Sequence, residues 1–203
     1  MPSKLLFLPG ASGDARFWLP VAERLAYPAD KVYLEWPGFG PIPPDPRVNC
    51  MHDLVSLVVA AIDQPVAVIA QSMGSVIAVQ AIAEKTELVT HLVLAATSGG
   101  MDLESFGAHN WRPLIHATNA SFPRWFSDYD EDLTPQFHSI CVPTLLLWGD
   151  ADPISPVSVG QRLAALIPYA KLHIVSGGDH HFAKTHAQEI APLIDAHLAG
   201  HVE

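Results

Sequence analysis

The chain has 203 residues and a mass of 21.9 kDa, a length at which one domain buries roughly 70 % of the surface its unfolded form exposes. Apolar residues make up 49 % and charged residues 16 %, a balance that excludes intrinsic disorder. Eleven Lys and Arg stand against 21 Asp and Glu, a formal charge of −10, and no basic run is present to neutralise a phosphate backbone, which argues against nucleic acid as a partner.

In chain order, short runs rich in Val, Leu and Ile predict strands at residues 4–8, 31–35, 65–70, 91–96, 143–148 and 170–175. Most are near-continuously apolar rather than alternating, the pattern of strands covered on both faces in a parallel sheet. Between them, helical spacing predicts helices at 15–26, 52–63, 73–85, 156–167 and 183–198. In the last, Ile190, Leu193, Ile194 and His197 fall at i, i+3, i+4 and i+7, a face to bury, with Gln188, Glu189 and Asp195 on the face opposite. Strand alternating with helix implies an α/β, three-layer sandwich: a mostly parallel six-stranded sheet with helices on both faces and right-handed crossovers.

Residues 98–140 break the rhythm. They hold no convincing strand yet carry Phe106, Trp111, Phe122, Trp125, Phe126, Tyr129 and Phe137. So long a stretch of bare loop is unusual in a compact domain, and short helices forming a lid over a site are expected, with an extra packing layer as the competing interpretation. Pro41, Pro43, Pro44 and Pro46 stiffen a second, extended connection. Neither a repeat nor a second domain is seen, and residues 1–203 are read as one domain. Cys50 and Cys141 lie far apart without a C-x-x-C pair, which predicts reduced thiols and no cysteine-based zinc site. The apolar run near the start is too short for a secretory segment, and nothing approaches the roughly 18 apolar residues of a membrane span. A soluble, cytoplasmic protein is expected.

Four segments can carry chemistry. Ala70-Gln71-Ser72-Met73-Gly74 lies where a strand hands over to a helix and reads as a nucleophile elbow, in which small residues two before and two after the serine permit a sharp turn. The competing interpretation makes Ser72 an ordinary helix N-cap. Leu8-Pro9-Gly10-Ala11-Ser12-Gly13 follows the first strand and can hold an N–H, that of Ala11, open toward a substrate oxygen beside the N–H of Met73. No G-K-[ST] follows, which disfavours a phosphate loop. Trp148-Gly149-Asp150-Ala151-Asp152-Pro153 offers two carboxylates after the fifth strand; Asp150 fits plain turn chemistry and Asp152 is the candidate acid. Gly178-Asp179-His180-His181 then delivers two imidazoles. A metal site built from His180, His181 and His186 is disfavoured, since the spacing is not H-E-x-x-H and no ligand set converges.

With Ser72, Asp152 and His180 in that order, the chain resembles the α/β-hydrolase superfamily, particularly its small esterase-like members, over nearly its whole length. Leu8-Pro9-Gly10-Ala11 is similar to that family's oxyanion loop and Trp36-Pro37-Gly38-Phe39-Gly40 to its Pro-Gly-x-Gly turn. Pro9 replaces a usual histidine, Ala70 replaces a usual glycine, and the family's first antiparallel strands are missing, which implies a trimmed six-stranded version of the fold. The resemblance implies a serine hydrolase acting on a small neutral carboxylic ester without a cofactor, with Ser72 as nucleophile, Asp152 as acid and His180 as base. His181 is the alternative base. A non-catalytic binding protein of the same fold is the main rival, and a metal-dependent hydrolase using Asp150, Asp152 and the histidine pair the lesser one.

Overall fold

The protein is described by a computed structural model covering residues 1–110 and 122–200. Six strands, β1 (Lys4–Leu8), β2 (Asp30–Tyr33), β3 (Val66–Gln71), β4 (Val89–Ala95), β5 (Thr144–Gly149) and β6 (Ala170–Val175), form one sheet in the order β2-β1-β3-β4-β5-β6. Every pairing is parallel. The order reverses between β1 and β3: the chain leaves β1 for β2 on one side and returns to β3 on the other. Such a switch point opens a crevice at the carboxyl ends of the strands, where open α/β sheets bind ligands.

Near-continuous apolarity and two-residue periodicity together explain the layers. Leu6 and Leu8, Val66, Val68 and Ala70, Leu92 and Leu94, and Leu146 and Trp148 enter one core. Their alternates Leu5 and Phe7, Ala67 and Ile69, Val93 and Ala95, and Leu145 and Leu147 enter the other. Successive side chains of a strand point to opposite faces, so a strand apolar at every position needs a helix layer on each side. The first core is covered by α2 (Met51–Ala61), α3 (Met73–Glu84) and α5 (Val157–Leu166), the second by α1 (Leu19–Ala22), α6 (Phe182–Thr185) and α7 (Ala187–Leu198). Two buried indoles pin the end of β1 from both layers: Trp18 Nε1 donates to the Leu8 carbonyl at 2.9 Å and Trp36 Nε1 to the Pro9 carbonyl at 2.7 Å.

Two helices expected to be continuous are not. The 15–26 segment is a short 3-10 turn, Ala15–Phe17, opened by the Asp14 carboxylate and followed by α1 with Pro20 in its first turn. The 183–198 segment divides at His186 into α6 and α7. Asp195, expected on the solvent face, instead accepts the N–H groups of Ala26 and Tyr27, each at 2.9 Å, and ties α7 to the end of the first crossover.

Within 98–140 the described residues contain no strand. They form 3-10 turns at Glu104–Phe106 and Thr134–Ser139 and the short helix α4 (Arg124–Ser127). Phe122, Phe126, Leu133 and Phe137 are buried. Phe39 is their hub, meeting the rings of Phe122, Trp125 and Phe126 edge-on at 5.3, 5.7 and 5.6 Å. Trp111 falls outside the described residues. Among those described, no helix is long and apolar enough to cross a membrane, and Cys50 and Cys141 are exposed and unpaired.

Candidate functional site

The elbow is built by sterics. Ser72 follows β3 with φ 51° and ψ −120°, a conformation that costs an L-residue about 1–3 kcal/mol. Close packing holds it there. A Cβ on Gly74 would lie 2.4 Å from the Pro9 carbonyl oxygen and 2.7 Å from that of Leu8, so only glycine lets α3 begin so near the end of β1. Gly10 meets the same elbow from the other side, where a Cβ would sit 3.1 Å from Ser72 Cβ.

The Ser72 side chain makes no capping bond to α3. Its Oγ lies 3.1 Å from His180 Nε2, and His180 Nδ1 lies 2.8 Å from Asp152 Oδ2. A carboxylate can only accept, so in the neutral ring Nδ1 carries the proton and Nε2 the lone pair, to which the Ser72 hydroxyl donates. The N-cap interpretation of Ser72 is thereby set aside.

Asp152 is positioned by its own turn. Its Oδ1 accepts the N–H groups of Ile154 at 2.8 Å and Ser155 at 3.1 Å, leaving Oδ2 for the imidazole, and its side chain is fully buried. Asp150 takes the Gly177 N–H at 2.6 Å and stitches the loop after β5 to the loop after β6, a longer reach than the local turn chemistry expected of it. These loops touch closely: a Cβ on Gly149 would lie 2.1 Å from the Gly178 carbonyl oxygen. Gln71 Nε2 donates to the His180 carbonyl at 3.1 Å, tying the base's own backbone to the residue before the nucleophile.

The neighbouring imidazoles turn elsewhere. The His181 ring lies 6.4 Å from that of Phe17 and edge-on to His180 at 5.7 Å. Desolvation and the adjacent His180 hold its pKa below the ordinary histidine value. His186 Nδ1 faces Thr185 Oγ1 at 2.8 Å. Among the described residues, no group of three or more His, Cys, Asp or Glu side chains is placed to hold a metal ion.

Ala11 and Met73 flank Ser72 in the wall of a cavity of about 1140 Å³. Neither backbone N–H bonds to a backbone acceptor among the described residues. The cavity wall combines apolar Met73, Val76, Met101, Leu103, Phe106 and Phe126 with Asp102, Glu104, Asp130, Glu131 and Asp132 as well as Arg162. Asp128, grouped with these acids in sequence, is not in its wall.

The sequence model of the alpha/beta hydrolase family matches residues 5–140. The chain belongs to the alpha/beta hydrolase family. That match takes in Ala11 and Ser72 and stops short of Asp152 and His180, which geometry alone brings to the site. Among relatives of this alpha/beta hydrolase, a poly(3-hydroxyalkanoate) depolymerase of Ectopseudomonas oleovorans is 47% identical over 57 residues, 28% of this chain and 20% of that protein. A 2-hydroxy-6-oxononadienedioate/2-hydroxy-6-oxononatrienedioate hydrolase of Cupriavidus pinatubonensis is 39% identical over 75 residues, 37% of this chain and 25% of that protein. The matched stretch thus spans a quarter or less of each of these curated relatives. Among solved structures, a membrane phospholipase A described as a bacterial virulence factor superposes with a TM-score of 0.81 at 24% identity, over 98% of this chain and 79% of that one. An esterase from Thermogutta terrifontis gives 0.76 at 18% identity, over 97% and 89%. At these identities the likeness is one of fold.

Thr97 and Ser155 belong to no motif, and Gln71 is only the variable position of the elbow, yet each bonds to a site residue or its backbone. Nothing local marks their side chains, because the side-chain bonds of Gln71, Thr97 and Ser155 all reach partners distant in the chain.

Proposed function

We propose that this alpha/beta hydrolase is a serine hydrolase that cleaves a small, neutral carboxylic ester through an acyl-enzyme on Ser72. One observation carries the reading: the Ser72 hydroxyl, released from helix capping, points at the lone-pair nitrogen of an imidazole whose other nitrogen is held by a buried carboxylate.

The chemistry follows from that alignment. As Ser72 Oγ bonds to the ester carbonyl carbon, its proton passes to His180 Nε2, and Asp152 offsets the imidazolium charge while holding the ring's orientation. The carbonyl electron pair moves onto oxygen, which the N–H groups of Ala11 and Met73 stabilise; losing one such donor typically costs about 10² to 10³ in rate. Collapse breaks the carbon–oxygen bond, and His180 returns the proton to the departing alcohol. Water, deprotonated by the same imidazole, then attacks the acyl-Ser72 ester, and a second collapse frees the acid and restores the hydroxyl.

The described part of residues 98–140 serves as a lid, supplying Met101, Leu103, Phe106 and Phe126 to the wall of the cavity that Ser72 also lines, a surface suited to an apolar acyl group. Carboxylates around the same cavity favour a neutral substrate over a dioate of the kind named for the Cupriavidus relative. The names depolymerase, phospholipase and esterase among the relatives and neighbours support ester cleavage. Exposed, unpaired Cys50 and Cys141 accord with work in the reducing cytoplasm.

The test is fluorophosphonate labelling together with hydrolysis of p-nitrophenyl esters of increasing acyl length, for wild type and Ser72→Ala. Wild type should be labelled and active, and Ser72→Ala neither labelled nor active while retaining its folded circular dichroism. A wild type that binds these esters without turnover or labelling would be a binding protein instead.

A further inference from the structure

The hydrogen bonds around the site do not end at His180. Beyond β4, Ala96 adopts φ 46° while its N–H is held by the Leu147 carbonyl at 3.1 Å. This left-handed residue turns the chain so that Thr97 comes under the elbow. The Thr97 hydroxyl donates to the Ser72 carbonyl at 2.9 Å and accepts the Gly99 N–H at 2.9 Å. The Thr97 carbonyl accepts the hydroxyl of Ser155 at 2.9 Å. Ser155 in turn donates its N–H to Asp152 Oδ1, and its carbonyl accepts Trp148 Nε1 at 2.9 Å. Thr97 and Ser155 are each 1% exposed.

We infer that Thr97 and Ser155 are positioning residues that lock the nucleophile elbow to the acid loop through a closed hydrogen-bonded circuit: Ser72 carbonyl, Thr97, Ser155, Asp152, His180, Ser72 hydroxyl. The inference rests on the hydrolytic reading of Ser72, Asp152 and His180. Ser72 holds a disfavoured backbone conformation whose relaxation would swing its carbonyl, and the Thr97 hydroxyl and the Ser75 N–H, the latter at 3.0 Å, are the donors that grip that carbonyl. At the other end, the Ser155 N–H helps fix the carboxylate rotamer, and the Ser155 hydroxyl fastens that turn to Thr97. Displacing either end therefore alters both the Ser72–His180 and the His180–Asp152 contacts. Buried hydroxyls that only filled space would be replaceable by apolar groups at little cost; these two join backbone segments 58 residues apart.

Four variants of the full chain test this: Thr97→Val, close in shape but without the hydroxyl; Thr97→Ser, which restores it; Ser155→Ala, which keeps the backbone donor to Asp152; and the double variant combining Thr97→Val with Ser155→Ala. Misplacement of reacting groups lowers kcat rather than binding, so Thr97→Val should lose about 10- to 100-fold in kcat with KM within about twofold of wild type. Its rate of fluorophosphonate labelling should fall in parallel. Thr97→Ser should recover most of both losses. Ser155→Ala should show the same split, and the double variant should lose less than the product of the single losses, because both break one circuit. A Thr97→Val protein with lowered thermal stability but wild-type kcat and labelling rate would overturn the inference, as would Thr97→Ser remaining as slow as Thr97→Val. If Thr97→Val does not fold, Ser155→Ala decides alone, and unchanged kcat and labelling there overturn it. A wild type that takes no label removes the hydrolytic reading and this inference with it; a labelled, active wild type with unimpaired variants removes this inference only.

Discussion

His197 lies far from Ser72, at the last turn of α7, and sets how the folded state responds to acid. Its Nε2–H donates to the Leu92 carbonyl at 3.1 Å, and its ring stands edge-on to His91 at 5.2 Å. Burial, reinforced by the neighbouring imidazole, pushes its pKa from 6.5 down to about 4. A helix C-terminus favours a cation by only about 0.3–1 kcal/mol, so desolvation prevails. The sign follows. Above the unfolded value near 6.5 both states are neutral; as pH falls from there toward 4, the unfolded chain takes up a proton that the folded chain refuses, and stability drains away. That interval is worth roughly 3 kcal/mol. With a urea m-value of about 2 kcal/mol per molar, the loss moves the unfolding midpoint by about 1.5 M. His197→Gln keeps an N–H donor for Leu92 and removes the titration. Urea unfolding of both proteins at pH 7.5 and pH 4.5 isolates the contribution, because other titrating groups act equally in each. The variant should lose about 2–3 kcal/mol less than wild type on acidification. Equal losses in the two proteins would refute a buried, neutral His197.

Four further outcomes follow from particular contacts. Asp152→Asn should fold normally yet lose about 10⁴ in kcat, since an amide in place of the carboxylate stabilises the wrong imidazole tautomer; ester turnover measured beside a folding control checks this. Gly74→Ala forces a methyl against two backbone oxygens and should cost about 1–3 kcal/mol, lowering Tm by roughly 2–4 °C per kcal/mol; an unchanged Tm would mean the β1–α3 approach is looser than described. Ser75→Ala should raise stability by about 1 kcal/mol, because the buried Ser75 hydroxyl meets no partner among the described residues and alanine is the better helix former; calorimetry reads the gain. An ester ending in a carboxylate should be cleaved more slowly than a neutral one of equal length, and the gap should narrow as salt exceeds about 0.15 M; a gap indifferent to salt would show that the cavity's acids do not act on substrate.

The layers were legible because a strand buried on both faces has to be apolar at nearly every position. All six runs became strands, each within two residues of the expected bounds. Helix continuity was less legible: Pro20 and the non-helical backbone of His186, φ −112° and ψ 24°, reset the chain where periodicity alone runs on. Of the adjacent imidazoles, sequence left the base open between His180 and His181, since both leave the same turn. In the fold the His180 ring meets Ser72 Oγ and the His181 ring lies beside Phe17. Thr97 and Ser155 were invisible for a different reason. A hydroxyl bonded to a distant carbonyl leaves no spacing or periodicity in the chain that makes it.

The near-contact of Gly149 with Gly178 has a consequence for redesign. Because the turns bearing Asp152 and His180 are pressed backbone to backbone on adjacent strands, these two side chains are carried by one unit, and the stretch between β4 and β5 joins it where the Thr97 carbonyl accepts the Ser155 hydroxyl and the His109 N–H meets the Pro153 carbonyl at 2.8 Å. Graftings confined to residues 124–134, which make no backbone bond to either turn among the described residues, should therefore retune what enters while leaving proton transfer as it was; a side chain added at either glycine would prise the two turns apart, whatever ligand is offered.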